Sequence, residues 1–331
     1  MSILTKTLKD TRLGPSQAHL NITAFPLLSE AGEAPFYLPL GEAIKTKTAY
    51  IEEISEKGSV PEILFENSGD LPVLLLDGQE LIGAKQHRIL NLTILVPARS
   101  TLAIPVSCVE GGRWHWSRRD FAESEDIAFS KLRMQKARSV SANLRQAGSR
   151  RADQAEVWSS VSQMSLDLGT SSHTDAMRDS YEQRRDVLNG YVQAFPAIDE
   201  QIGVVFALNG EVTGVDLFDH PSTFKVVLPR LVRSQALDAL SKRSGVTPVT
   251  SNSTAVTFLN RIAKAKTKHY RAIGEGEDVR IESEDLVGGA LEVSGQILHL
   301  CAFCERTMDQ DAPTNSASRA QARRRAWRRA A

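Results

Sequence analysis

The spacing of apolar side chains changes twice along this chain, and those changes limit what it can fold into. From residue 18 to residue 117 the apolar residues come in short runs, "LNITAF", "EILFE", "PVLLLD", "RILNLTILVP" and "TLAIPVSCVE", separated by Gly, Pro, Asn and Asp. Runs of this length, rich in β-branched residues, read as strands, and their punctuation marks turns. Pro97 and Pro105 suit strand ends or bulges, because proline cannot donate to a ladder. "GEAIKTKTAYIEEI" leaves room for one short helical turn.

The first change falls at Ser124. "SEDIAFSKLRMQKARSVSANLRQ" spaces Ile127, Leu132, Val140 and Leu144 among charges, acids early and bases late, as a helix dipole favours. "ADQAEVWSSVSQMSLDLG" stops at Gly169, a natural C′ residue, and "SSHTDAMRDSYEQRRDVLNGYVQAF" follows. Residues 124–195 thus read as three helices. The second change comes with "IGVVFALNGEVTGVDLF", a hairpin turning at Asn209-Gly210. A helix then starts at "DHPSTF", with Asp219 placed to cap it and Pro221 near its first turn. Another covers "TAVTFLNRIAKA", and "DVRIESEDLVGGALEVSGQILHLCAF" gives three short strands.

That order predicts an α+β fold: an N-terminal antiparallel β sandwich or half-barrel, central helices, and a C-terminal β/α/β segment. It does not alternate as a doubly wound sheet would. The expected organisation is an N-terminal extension over 1–17 and one domain over 18–307, β-rich at 18–117, helical at 124–195 and mixed at 201–303. A basic tail follows over 308–331. That tail, ending "ARRRAWRRAA", reads as a disordered end or as an anion-binding arm.

Lys plus Arg and Asp plus Glu each number 40, so no global field would gather nucleic acid or anionic lipid. The N-terminus lacks the order of a signal peptide, and no apolar run approaches the ~20 residues that span a bilayer. A soluble, cytoplasmic protein is expected, with no membrane partner and no nucleic acid as its main ligand. Three cysteines, Cys108, Cys301 and Cys304, are too few for a disulfide scaffold. Cys301 and Cys304 form C-x-x-C within a strand-like run, where they face opposite sides, which argues for buried thiols over a metal site. Dinucleotide, P-loop, zinc-protease and hydrolase-elbow signatures are absent, so no cofactor or metal is expected. Ser222–Lys225 matches S-x-x-K without its companion elements.

What remains is a polar insert between apolar strands at 71–114, holding Gln79, Glu80, Lys85, Gln86, His87, Arg88 and Asn91. If 88–96 pairs with 101–109, this insert meets "EGGRWHW" and brings Glu80, Arg88, Glu110, Arg113 and Trp114 together. Two arginines suit a phosphate or pyrophosphate, an amide suits a base or ribose hydroxyl, and an indole suits a purine face. Two carboxylates suit acid/base work at a glycosidic carbon. The same groups also suit structural ion pairs at a sheet rim, and Trp114 and Trp116 also suit a core face. Asp216 follows an apolar strand and reads either as ligand-facing or as structural. Lys131, Arg133, Lys136 and Arg138 spread around a helix, which favours a solvated surface.

"GQELIGAKQHRILN", "IPVSCVEGGRW", "QAEVW", "SSHTDAM", "GVVFALNGEVTGVDLFDHPSTF" and "ALDAL", in this order, resemble the ARPP-1 family. The name stands for the ADP-ribosylglycohydrolase- and rhodanese-phosphatase-associated protein domain. The likeness runs from about Leu20 to Phe303 and covers Glu80, Gln86, Arg88, Asn91, Cys108, Glu110, Arg113, Trp114, Gln154, Trp158, Ser172, Thr174, Gln201 and Asp216. Cys301 departs from it, since a small residue takes that position in the family. The resemblance implies a role in the metabolism of NAD-derived or ADP-ribosylated compounds and carries over no reaction and no catalytic residue.

The leading expectation is a protein that binds, and as an enzyme would hydrolyse, an ADP-ribose-like or other phosphorylated nucleotide or sugar ligand. Arg88 and Arg113 would hold phosphate, Glu80 and Glu110 would supply acid/base or ribose contacts, and Gln86 and Asn91 would orient the ligand. Trp114 and Asp216 complete the candidate set. The alternative is a non-enzymatic scaffold whose polar rim meets a protein partner. A third is nucleic-acid binding through the arginine tail.

Overall fold

The structure is a computed structural model describing residues 2–30, 32–242 and 250–308, in which the strand-patterned first third curls back on itself. Six antiparallel strands lie in the order Phe121–Ile127, Gln79–Gly83, Arg88–Leu90, Ser100–Cys108, Glu62–Asn67 and Ala49–Glu53. The outer strands meet again at a bridge between Glu52 and Asp120, so the sheet is a curled half-barrel. Because alternate residues share a face, Ile51, Phe65, Leu81, Leu90, Ile104 and Val106 all turn into one apolar interior. Each such buried side chain contributes roughly 1.5–3 kcal/mol.

The expected pairing of 88–96 with 101–109 forms only in part. Leu90, Ile89 and Arg88 face Val106, Ser107 and Cys108, but Ile94–Val96 leaves to pair with Val73–Leu75 in a three-stranded sheet completed by Leu38–Pro39. Pro105 lies inside a strand, not at its end. It is the last residue of the ladder with Glu62–Asn67, just before the ladder with Arg88–Leu90 begins, so its missing N–H falls where the strand changes partners.

Six strands of the second half and three from residues 12–28 build a nine-stranded antiparallel sheet. From one edge to the other it runs Arg12–Leu13, Ile22–Leu28, Gln201–Leu208, Glu211–Phe218, Gln296–Cys304, Leu286–Val293, Glu277–Ser283 and Lys266–Arg271, with Gln17–His19 also paired to Ile22–Leu28. The hairpin turns at Asn209-Gly210 as predicted, both residues having positive φ. Both faces of the sheet are covered. Val204, Phe206 and Phe218 pack under the helices Gln154–Leu168, Arg185–Ala194 and Pro221–Ser241. Val205, Ala207 and Leu217 pack under Ile3–Asp10 and Asn252–Lys264, which is why "IGVVFAL" is apolar without alternation. Cys301 and Cys304 sit in different core clusters on opposite faces.

Three local readings change. Residues 124–127 extend a strand, and the central helices are four among the described residues: Ser130–Ala147, Gln154–Leu168, Met177–Gln183 and Arg185–Ala194. The last two separate at Arg184, whose φ of −111° and ψ of 9° leave the helical region. The helix from Pro221 is capped by His220, whose side chain accepts from the Ser222 N–H, while Asp219 accepts from the Tyr37 hydroxyl at 2.5 Å. The arginine-rich segment after Met308 lies outside the described residues. No described helix is long and apolar enough to cross a membrane.

Candidate functional site

The inward face of the half-barrel is apolar along most of its length and polar at one end. The register that turns Ile51, Leu90 and Val106 inward also turns in Glu53, Arg88 and Cys108, which sit where their strands meet the loops 54–61, 84–87 and 109–120. Loop 84–87 adds Lys85 and Gln86, both buried, and loop 109–120 lays Trp114 and Trp116 across the opening. A barrel mouth of this kind is a common ligand position.

Arg88 is 0 % exposed. Its Nη1 donates to Gln86 Oε1 at 2.9 Å and its Nη2 to Glu53 Oε1 at 3.5 Å, while its Nε donates to nothing among the described residues. Gln86 Oε1 also accepts from the Cys108 thiol at 2.9 Å, and Gln86 Nε2 donates to the Glu110 carbonyl at 2.8 Å. Burial pushes the Cys108 thiol up, against the pull of Arg88, so it is a neutral donor at rest and not a nucleophilic thiolate. A further buried atom at this end, Glu53 Oε2, has no hydrogen-bond partner among the described residues, and the indole nitrogen of Trp158 stands beside Cys108 and Gly111. Trp114, 45 % exposed, closes the mouth, with the Arg88 guanidinium 5.6 Å and the Lys85 ammonium 5.5 Å from its ring centre. The Lys85 ammonium is also 5.1 Å from the Trp116 ring, whose other cation is Arg119 at 5.1 Å.

The structure therefore brings Gln86, Arg88 and Trp114 into one place. Glu110 and Arg113 lie next to it but are occupied with each other. Glu110 Oε1 accepts from Arg113 Nε at 2.8 Å and Thr174 Oγ1 at 2.9 Å, and its Oε2 from Arg113 Nη2 at 2.6 Å and the His87 N–H at 3.0 Å. Arg113 also donates to the carbonyls of Gly83, Ala84 and His115. Burial alone would raise the Glu110 carboxyl, but these bonds hold it below the usual range, so the pair fastens the mouth loops together. His87, pushed down to about 4 by burial, is neutral at pH 7.

Glu80 points the other way. It lies opposite Ile89, on the outer face of the strand whose Leu81 turns inward. It is 0 % exposed, neither carboxylate oxygen has a hydrogen-bond partner within 3.5 Å among the described residues, and burial, with repulsion from Asp126 and Glu110, outweighs the nearby Ser124 hydroxyl and Arg178 and pushes it up to about 8. At pH 7 it is a protonated acid, and it does not share the mouth with Arg88.

Asn91 and Asp216 belong to a second buried network. Asn91 donates to the Arg150 carbonyl at 3.1 Å and accepts from Ser107 at 2.7 Å. Asp216 accepts from Arg133 at 3.0 and 2.6 Å and from His299 Nε2 at 3.2 Å, and His299 Nδ1 meets Thr93 Oγ1 at 2.7 Å. Arg133 also reaches Asp77 at 3.1 Å, and Lys136 donates to Asp77. Burial would raise both aspartates, but these cations hold them below their usual range. A cavity of about 10 Å³, lined in part by Asp77, Thr93, Asp278, Arg280 and Cys301, has room for a single water. Contrary to the solvated surface expected for the basic helix, Arg133 and Lys136 are buried, because their partners stand in the adjoining sheet and loop. Glu53 escaped the sequence reading as well. Its signal was present: Ala49, Ile51 and Glu53 share one face, so the acid faces the interior.

A family model, the ARG and Rhodanese-Phosphatase-superfamily-associated Protein domain, ARPP-1, matches residues 10–303. No curated protein and no solved structure matches the chain.

Proposed function

The chain belongs to the ARPP-1 family, and from that premise we propose that it binds an ADP-ribose-like or other phosphorylated nucleotide at the mouth of its half-barrel. The observation that carries this reading is Arg88, a fully buried cation whose Nε has no partner among the described residues and which lies beneath a half-exposed indole. A buried donor left without an acceptor costs about 1–3 kcal/mol, more for a charged group, and a ligand oxygen would recover it. Lys85 adds a second positive charge, and Trp114 offers a face for a base. The family name, which couples the domain to ADP-ribosylglycohydrolase and rhodanese-phosphatase superfamilies, agrees with a ligand of this chemistry.

The reading is of recognition first. Hydrolysis is the added outcome to look for, because Glu110 is engaged by Arg113 and Glu80 faces away. The saturated Glu110–Arg113 pair favours a second reading, in which the rim is a rigid surface for a protein partner. Thermal-shift and calorimetric titration with ADP-ribose, NAD, ADP, AMP and buffer separates the two. A ligand at 100 times its Kd stabilises by about 2.7 kcal/mol. Arg88→Lys, which keeps the charge and loses the fork, should weaken binding about 10- to 100-fold. No shift with any compound, or unchanged affinity in Arg88→Lys, rejects the mouth as the site.

A further inference from the structure

Resting on the reading of the mouth as an anion site, we infer that its outer rim holds a second anion subsite at Arg119, so that the ligand carries a diphosphate and not a single phosphate. The argument starts at Lys85, which is 8 % exposed. Its ammonium lies 5.5 Å from the Trp114 ring centre and 5.1 Å from that of Trp116, and it has no ion pair and no hydrogen bond among the described residues. The arginines around it each have a carboxylate: Arg88 has Glu53, Arg113 has Glu110, Arg118 has Asp120 and Arg119 has Glu56. Of these cations Lys85 alone lacks one among the described residues. An ammonium has three donors, and an indole face returns only about 0.5–2 kcal/mol of what its desolvation costs. Its charge therefore calls for an acceptor from outside the chain.

Lys85 is the middle of a row. Arg88, Trp114, Lys85, Trp116 and Arg119 follow one another with cations and indoles alternating, each cation 5.1–5.6 Å from the ring beside it. The row starts fully buried at Arg88 and ends at Arg119, whose side chain is 71 % exposed. Lys85 and Arg119 share the Trp116 ring, each 5.1 Å from its centre, so they stand at most about 10 Å apart. A pyrophosphate with a hydrogen bond of about 2.8 Å at each end spans that distance. Arg119 is also the arginine most readily freed. It holds Glu56, itself 79 % exposed, by a single bond of 2.8 Å, and a pair in that setting contributes about 0–1 kcal/mol. Arg118 is held by two parallel bonds to Asp120, both 2.8 Å, and Arg113 by buried ones to Glu110. A ligand phosphate at Arg119 has only Glu56 to displace. It lies over the exposed side of loop 109–120 and needs no enclosed cavity.

The test is calorimetric titration of the full chain with inorganic phosphate and with pyrophosphate, at fixed ionic strength and without divalent cations, repeated on Lys85→Gln, Arg119→Gln and Arg118→Gln. The wild type should bind pyrophosphate at least about tenfold tighter than phosphate. Arg119→Gln should bring that ratio towards one by weakening pyrophosphate while phosphate affinity is kept. Lys85→Gln should weaken both anions about tenfold. Arg118→Gln removes the same charge one residue away and should leave the ratio unchanged, which separates a subsite from the general attraction of a more highly charged ion. Circular dichroism confirms that the variants fold. Equal affinity for the two anions in the wild type overturns the outer subsite and leaves the anion site standing. A preference that survives in Arg119→Gln, or that falls equally in Arg118→Gln, also overturns it, as does unchanged affinity for both anions in Lys85→Gln. Failure of both anions to bind the wild type overturns the anion reading itself, and the subsite with it.

Discussion

Replacing Glu80 by Gln should stabilise this protein, and by more as the pH rises. Glu80 is fully buried beside Asp126 and Glu110, without a hydrogen-bond partner within 3.5 Å for either oxygen among the described residues, and its carboxyl moves from 4.5 to about 8 on folding. A carboxyl raised by folding favours the folded state most fully when it is protonated in both states. The Glu80 contribution is therefore most favourable below about 4.5, falls as the pH climbs, and levels off once the pH has passed about 8. At ~1.4 kcal/mol for each pH unit in that window, ionisation costs roughly 3 kcal/mol by pH 7 and roughly 5 kcal/mol by pH 9. Gln has the shape of the protonated acid and does not titrate. Urea unfolding of the wild type and Glu80→Gln at pH 5, 7 and 9 reads the difference directly. The two should be within about 1 kcal/mol of each other at pH 5 and diverge by several at pH 9. Parallel stability profiles would show that Glu80 is solvated or ion-paired and would refute the argument.

The opposite sign is expected at Glu110, whose carboxyl is held below its usual range. Its contribution is complete above the ordinary carboxylate pKa and is lost as the pH falls through its lowered value, so Glu110→Gln should flatten the acid limb of the stability profile and cost about 1–3 kcal/mol at pH 7. Asp216→Asn should cost about 3 kcal/mol by equilibrium unfolding, since it leaves the buried Arg133 guanidinium with Asp77 as its remaining carboxylate. A loss below 1 kcal/mol would mean that the network reorganises or admits water.

The half-barrel and the hairpin were legible because their signals are local. Period-2 alternation shows in "AYIEE" and "EILFE", and Asn209-Gly210 supplies the two positive φ values its turn requires. The boundary at Ser124 was misread because the apolar residues of 121–127 carry no clean period, and the strand there is broken by a bulge between Glu123 and Ile127. The charged networks were harder to see for a different reason. Polarity in a sequence is read as exposure, yet a cation is buried wherever the fold supplies its anion. Arg133 meets Asp77 and Asp216 at separations of 56 and 83 residues, and Arg88 meets Glu53 at 35. No periodicity spans such distances; they become contacts only when strand register is fixed. Register itself offered one clue, at Glu53. An acid on the same strand face as Ala49 and Ile51 has to end inside the half-barrel, and an acid inside needs a donor. Arg88 satisfies one of its oxygens. The other has no donor among the described residues, in contrast to the saturated rim formed by Glu110 and Arg113.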